Sequence, residues 1–328
     1  LAGMVHEALA QHGKCFSQWE EFFAEQQILA RIKLSAAAEI AAAFKQEQIQ
    51  SVFVKGAAFS LTLYEPGVRP FSDLDVLILP EQLAKADAVM TKLGFIQKSD
   101  EVNPIEASYE RERLPGFNVC IDLHWDFAAE DGLQAAVRIP LDQILSRVKY
   151  PGAAGVPPAS PQKSIPIPCD EDSLLLAAAN IARKSAEPLM LVADFARMAK
   201  RAPNWDVIEQ RAKEWGLRTP MWLGLKLAAV LLDAPIRADV ISRFAPPRWR
   251  AQWLLAQLAG ARLWQSDKQQ TWRYRVLFKL LCVDSFFQVL RVGAASPKAI
   301  LRKTGLTKTP MQQLRESAAA APGMGRYK

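Results

Sequence analysis

The spacing of apolar positions changes near residue 50. Between residues 16 and 49, Trp19, Phe22, Phe23, Ile28, Leu29, Ile32 and Leu34 recur at helical intervals, and an alanine-rich run around Ile40 extends them without Pro or Gly. The spacing predicts a helix over 16–49. Ser51–Val54 is β-branched and aromatic and predicts a short buried strand. Lys55–Tyr64 reads as a glycine-led turn into a helix, stopped by Glu65-Pro66-Gly67. Asp73–Leu79 predicts a second strand ended by Pro80, residues 81–93 an amphipathic helix closed at Gly94, and residues 117–124 a third strand. A strand–helix–strand–helix–strand order predicts a small sheet domain with covering helices.

The pattern changes again after residue 150. Six prolines fall within 151–168, which reads as a Pro-rich connector or an extended strap over the surface. Asp170-Glu171-Asp172-Ser173 then makes an acidic helix start. Further helices are predicted over 189–200, 204–216, 221–233 and 247–260; residues 269–291 are aromatic and basic together, and the tail beyond Ser317 is rich in small residues. The division expected is an N-terminal helical extension (1–50), a sheet core (51–150), the linker (151–168) and a mainly helical C-terminal domain (169–328).

Composition narrows the class. With 50% apolar and 23% charged residues the chain is globular rather than disordered. The longest apolar stretch, Met221–Leu232, is interrupted by Lys226 and too short for a bilayer, so no membrane partner is expected. The first residues show no basic segment leading into a long apolar core, so no secretory signal is expected. Cys15, Cys120, Cys169 and Cys282 are dispersed and form no C-x-x-C, which reads as reduced thiols and a cytoplasmic location. His6, His12 and His124 do not cluster with cysteines, so the metal expected is an oxygen-bound one such as magnesium.

Charge is divided unevenly. Residues 1–150 carry 14 basic against 21 acidic side chains, residues 151–328 carry 27 against 13, and from Arg243 onward the ratio is 16 to 3. Arg248, Arg250, Arg262, Lys268, Arg273, Arg275 and Lys279 interleave with Trp249, Trp253, Trp264, Trp272 and Tyr274. Such a segment, residues 243–328, can hold a nucleic-acid backbone by charge and stacking. The favoured reading is an amphipathic bundle with Trp, Leu and Phe buried and Arg and Lys solvated.

The chemistry concentrates between Lys55 and Leu79. Asp73 and Asp75 are two apart on a strand, so both carboxylates share one face while Leu74, Val76 and Ile78 take the other. Like charges held this close call for a cation, and Mg²⁺ (or Mn²⁺) is the natural neutraliser. On the strand over 117–124, Cys120, Asp122 and His124 share a face, and Asp122 supplies a third carboxylate if the strands are neighbours. Three carboxylates on adjacent strands suit phosphoryl transfer with one or two ions. Gly56 opens a helix whose N-terminus can meet phosphate, Lys55 adds a point charge and Arg69 a bidentate clamp.

A glycine at a strand-to-helix turn, then D-x-D, then a later Asp, resembles the polymerase-β-like nucleotidyltransferase superfamily. More closely, the sequence resembles a bacterial family labelled uncharacterised nucleotidyltransferase. The likeness rests on Lys55-Gly56, Tyr64, Gly67-Val68-Arg69-Pro70-Phe71-Ser72-Asp73-Leu74-Asp75-Val76-Leu77, Asp122-Leu123-His124-Trp125, Leu191–Arg197 with Asp194, and Asn204-Trp205, over roughly residues 16–232. The first turn departs from the superfamily's Gly-Ser, with Lys55 standing in for the lost hydroxyl; Asn180 and Lys184 stand where related sequences carry His.

The resemblance implies an α+β fold, a nucleotidyltransferase core followed by helices. It implies transfer of NMP from an NTP, with ATP the first candidate, to a small-molecule, peptide or protein acceptor. Asp73, Asp75 and Asp122 would hold the metal, with Asp122 aiding deprotonation; Lys55, Gly56, Arg69 and Ser72 would contact phosphates and His124 the nucleotide. Tyr64 and Trp125 read as packing residues, and Asp194 as a cap or pair within the helices. Two alternatives stand beside this reading: an RNA- or tRNA-directed enzyme of toxin type using the basic half, and a non-catalytic nucleotide-binding or scaffold protein.

Overall fold

The structure, a computed structural model, describes residues 17–65, 67–98, 105–127, 137–151, 164–184, 189–201, 203–258, 272–285 and 288–289. The expectations placed on residues 152–163, 259–271 and beyond 290 lie outside the described residues, as do His6, His12 and Cys15.

Helix α1 (Ser17–Gln46) presents Ala36, Ala37, Ile40, Ala41 and Phe44 as a buried stripe. Its small residues let the helix lie close to the sheet. Strand β1 (Ser51–Val54) follows, then α2 (Lys55–Thr62), β2 (Asp73–Ile78), a 3₁₀ turn at Pro80–Gln82 and α3 (Leu83–Lys92). Strands β3 (Ile96–Gln97), β4 (Glu106–Leu114) and β5 (Phe117–His124) complete a sheet of order β1-β2-β5-β4-β3. β2 and β5 are parallel and the other pairs antiparallel, so the sheet is mixed and the fold α+β.

The third predicted strand matches β5 residue for residue. Strands β3 and β4 were not predicted. In β4 only Ala107 and Tyr109 are buried, and Arg111-Glu112-Arg113 are charged on both faces, so the apolar alternation is too short to signal a strand.

One face of the sheet is apolar. Leu74, Val76 and Ile78 of β2 join Val119, Ile121 and Leu123 of β5 in a cluster with α1 and α3. Burying each such side chain stabilises the fold by about 1.5–3 kcal/mol. At the β1–β2 side of the other face, Val52, Val54 and Leu77 belong to a second cluster formed mainly by the later helices.

Those helices are α4 (Leu141–Ser146), α5 (Asp170–Arg183), α6 (Leu189–Ala199), α7 (Trp205–Trp215), α8 (Arg218–Leu231), α9 (Ala238–Arg243), α10 (Arg248–Leu258) and α11 (Trp272–Cys282). The Asn204 side chain caps α7 by accepting from the Asp206 and Val207 N–H groups at 3.2 and 3.3 Å. Gly216 closes that helix in the left-handed region at φ +73°. No helix among the described residues is long and apolar enough to cross a membrane.

Of the Pro-rich segment, residues 164–168 form a strap. Ile165 and Ile167 are buried, Lys149 and Ile167 form an antiparallel bridge, and the Phe53 N–H donates to the Pro166 carbonyl at 2.8 Å. This occupies hydrogen-bonding positions on the outer edge of β1 and so protects an edge strand.

Candidate active site

Strand pairing carries the polar residues of the sheet to one face. Asp75 lies opposite Asp122, and Asp122 opposite Ser108; in the next row Leu77 lies opposite His124, and His124 opposite Glu106. One row the other way, Asp73 lies opposite Cys120, and Cys120 opposite Glu110. Because side chains alternate along each strand, these rows face the same side, away from the apolar α1–α3 layer.

The bonds within this face are dense. His124 Nε2 lies 2.8 Å from Asp75 Oδ1 and its Nδ1 lies 3.1 Å from Glu106 Oε2. Lys55 Nζ ion-pairs with the same Asp75 oxygen. The Ser108 hydroxyl donates to Asp122 at 2.6 Å, and the Ser72 hydroxyl donates to Asp73 at 3.0 Å. From α1, Lys33 donates to the Phe71 carbonyl, and its ammonium lies 5.1 Å from the Phe71 ring centre. Lys55 reaches Asp75 from a strained backbone: its φ is +52°, a left-handed conformation unusual for a residue with a side chain.

Charge follows from this packing. Burial alone would raise the Asp75 carboxyl, but the Lys55 charge and the His124 hydrogen bond outweigh it and hold the group well below the usual carboxylate range. Burial pushes Asp122 up, helped by the charges of Asp73 and Asp75 and opposed by the Ser108 bond. Burial and Lys55 push His124 down, yet its bonds to Asp75 and Glu106 prevail and raise it above the ordinary imidazole value. Burial lowers Lys33, against the attraction of Asp73. The face therefore sets a carboxyl held low, Asp75, beside one pushed up, Asp122.

Asp75, Asp122 and His124 each offer a ligand atom, all within 4.8 Å of one another. Two of the three expected metal carboxylates thus meet, and His124 joins them. Asp73 stands one row away, half-buried at the start of β2. The imidazole stands beside the expected carboxylates because β5 runs parallel to β2 in this register.

Gly56 and Arg69 have partners other than a phosphate. A Cβ at Gly56 would meet Phe71 Cβ at 2.6 Å and Arg69 Nη1 at 2.9 Å, so close approach of the Arg69–Phe71 turn requires the glycine. Arg69 is buried, with Nε 3.1 and 3.2 Å from the two Asp194 oxygens, Nη2 2.7 Å from Oδ2, and Nη1 donating to the Pro70 carbonyl at 3.0 Å. The Tyr64 hydroxyl donates to Asp194 at 2.8 Å, and the Arg197 guanidinium sits 4.3 Å from the Tyr64 ring centre. Asp194 thus pairs outside the helical region rather than within it. Trp125 is buried in the sheet cluster, as read.

The basic C-terminal segment departs from its favoured reading where it is described. On α10, Trp249 and Trp253 are 56% and 54% exposed, whereas Arg250 is 9% exposed and Lys279 of α11 is 2%. Arg250 is buried because its Nη1 donates to the Val283 carbonyl at 2.6 Å. Leu254, Leu258 and Phe278 are buried as expected. Cys120, Cys169 and Cys282 are free thiols.

Sequence reasoning missed Glu106 and Ser108, because β4 was not read as a strand, and Lys33, whose place beside the site depends on how α1 crosses the sheet. The alternation Glu106-Ala107-Ser108-Tyr109 carried a usable signal: two polar residues on the face opposite two buried ones.

A family model described as uncharacterised nucleotidyltransferase matches residues 1–233. No curated protein matched the sequence. A crystal structure of an antigenic nucleotidyltransferase-like protein from Paracoccidioides brasiliensis is 15% identical, with a TM-score of 0.38, over 65% of this chain and 91% of that one. Residues 1–233, which contain the whole of the polar sheet face, place this chain in the uncharacterised nucleotidyltransferase family.

Proposed function

We propose that this protein is a divalent-metal-dependent nucleotidyltransferase that moves NMP from an NTP, ATP being the first to test, to an acceptor hydroxyl on a small molecule, peptide or protein. The observation that carries the reading is the parallel register that sets Asp75 beside Asp122, with His124 completing a ligand cluster, in a chain of this family. The donor set fits Mg²⁺ or Mn²⁺, with Asp75 and Asp122 as principal holders and Asp73 flanking them. When bound, such an ion neutralises charge on the triphosphate and on the departing pyrophosphate.

The chain's own residues supply the rest. Lys55 stands where its ammonium can turn from Asp75 to a phosphate oxygen, and Ser72 offers a hydroxyl beside Asp73. Asp122, on the strand beside Asp75 and on the same face, is assigned the acceptor's proton. In the step, the acceptor oxygen bonds to the α-phosphorus as the bond to the α–β bridging oxygen breaks; the proton passes to Asp122 and pyrophosphate leaves with the bond's electron pair. The recess beside Lys55, lined by Val54, Phe59, Phe127, Leu176 and Asn180, holds only about 10 Å³ and has no room for a base or acceptor as it stands.

The test is to incubate the protein with Mg²⁺, cell extract as acceptor source and each α-labelled NTP in turn, beside an Asp73→Asn/Asp75→Asn variant. Label should move onto an extract component with the native protein alone. Equal labelling by the variant would refute the site.

A further inference from the structure

We infer that His124 is a nitrogen ligand of the bound ion, oriented by Glu106, and that the site therefore prefers Mn²⁺ and its first-row neighbours to Mg²⁺. The inference rests on the carboxylate face being a metal site, as proposed above, and names the ion class that the face would select.

The argument begins with the Asp75 oxygen. Two donors meet it, His124 Nε2 at 2.8 Å and the Lys55 ammonium. An ion bonded to that oxygen must deal with both. Lys55 sits on a flexible stem with its side chain 18% exposed and can swing away. His124 cannot. Its side chain is buried on the central parallel pair of strands, and its far nitrogen is 3.1 Å from Glu106 Oε2 on the adjoining strand. An ion on Asp75 is therefore held beside His124 Nε2. A charged ring there would repel the ion. A neutral ring with its proton on Nδ1, donated to Glu106, presents the Nε2 lone pair instead.

That is the arrangement by which ligating histidines are held elsewhere: one nitrogen on the metal, the other on a carboxylate that sets ring orientation and basicity. Glu106 is the direct strand neighbour of His124, so the sheet register builds the support in. Ser108 does the same for Asp122, to which its hydroxyl donates at 2.6 Å. His124 and Asp122 thus each have a partner on β4 behind them. Mg²⁺ favours oxygen ligands and retained water, whereas imidazole nitrogen favours the transition ions, whose affinity rises from Mn²⁺ through Co²⁺.

The test uses the full-length protein and Mn²⁺ itself. Free Mn²⁺ is followed by its solution EPR signal while protein is titrated, with Mg²⁺ as competitor, and bound Mn²⁺ is examined by pulsed EPR for coupling to imidazole nitrogen. Expected are Mn²⁺ binding that equimolar Mg²⁺ does not displace, and a nitrogen coupling that disappears in His124→Asn. Glu106→Gln, a milder change at a partly exposed side chain, should weaken Mn²⁺ binding about 10–100-fold even if His124→Asn folds poorly. Bound Mn²⁺ without nitrogen coupling, or its ready displacement by Mg²⁺, would overturn this inference and leave the carboxylate site standing. No Mn²⁺ binding with or without ATP would overturn the metal site as well.

Discussion

Arg69 and Asp194, 125 positions apart in sequence, form a buried two-pronged ion pair with Nη2 to Oδ2 at 2.7 Å. It fastens the turn leading into β2, and so the start of the polar face, to helix α6. Tyr64 binds the same carboxylate, and Arg197 stacks on Tyr64 while donating to the Leu63 carbonyl at 3.2 Å. Several residues of the family-like pattern outside the carboxylates are thus explained by this junction.

Breaking one half of such a pair leaves a buried charge alone. Asp194→Leu should cost about 3–5 kcal/mol of stability, and Arg69→Met a similar amount. The double variant should recover much of that loss, short of the Tyr64 bond. Denaturant unfolding of the three proteins checks this; losses that simply add would show that the two side chains act independently.

Lys55 offers a test of strain. Both Lys55→Ala and Lys55→Gly remove the cation from Asp75, but only glycine relaxes the positive φ of 52°. Glycine should therefore be more stable than alanine by about 1–2 kcal/mol, reversing the usual helix order. Melting temperatures of the pair decide it, and the ordinary order would mean that the backbone there is unstrained.

Gly224 sets two effects against each other. Alanine would gain about 1 kcal/mol of helix propensity within α8. Its Cβ would meet the Phe195 ring at 2.8 Å, and Phe195 is fully buried. Overpacking of this kind costs about 1–3 kcal/mol, so Gly224→Ala should be destabilising overall. A raised melting temperature would contradict the packing described.

Glu39 on α1 binds Arg111 and Arg113 of β4. The Arg111 hydrogen bond leads the effects that hold its carboxyl below the ordinary value, against partial burial. A depressed carboxyl stabilises the fold above its unfolded pKa, and that contribution fades as pH falls from the ordinary carboxylate range through the lowered folded value. Because the group is partly exposed, the effect is under about 1 kcal/mol and salt-sensitive. Glu39→Gln should lower the melting temperature at neutral pH and match the native protein once pH drops below the folded value. A difference that persists there would assign the loss to packing instead.

Local pattern made much of this fold legible. Strands β1, β2 and β5 announced themselves because their apolar residues are consecutive or alternate with carboxylates, and the helices because their period is regular. That the Asp122 strand could lie beside the Asp73–Asp75 strand was legible; the parallel register that pairs Asp75 with Asp122 was not. Partners set by tertiary contact were not legible. Arg69 reads as a phosphate clamp until Asp194 arrives from a distant helix, and Glu106 is invisible as a support for His124 until β4 is recognised. Arg250 reads as solvated until the Val283 carbonyl is brought beside it.

The central claim is that the Asp75–Asp122 face transfers a nucleotidyl group. Parallel reactions with α-labelled and γ-labelled ATP, read on the purified labelled acceptor, test it most directly. The account predicts that α-label stays on the acceptor, γ-label leaves as pyrophosphate, chelation of the metal stops both, and Asp75→Asn lowers transfer at least about 100-fold, as loss of charge stabilisation at a reacting phosphoryl would. Retention of γ-label on the acceptor, or undiminished transfer by Asp75→Asn, would contradict it.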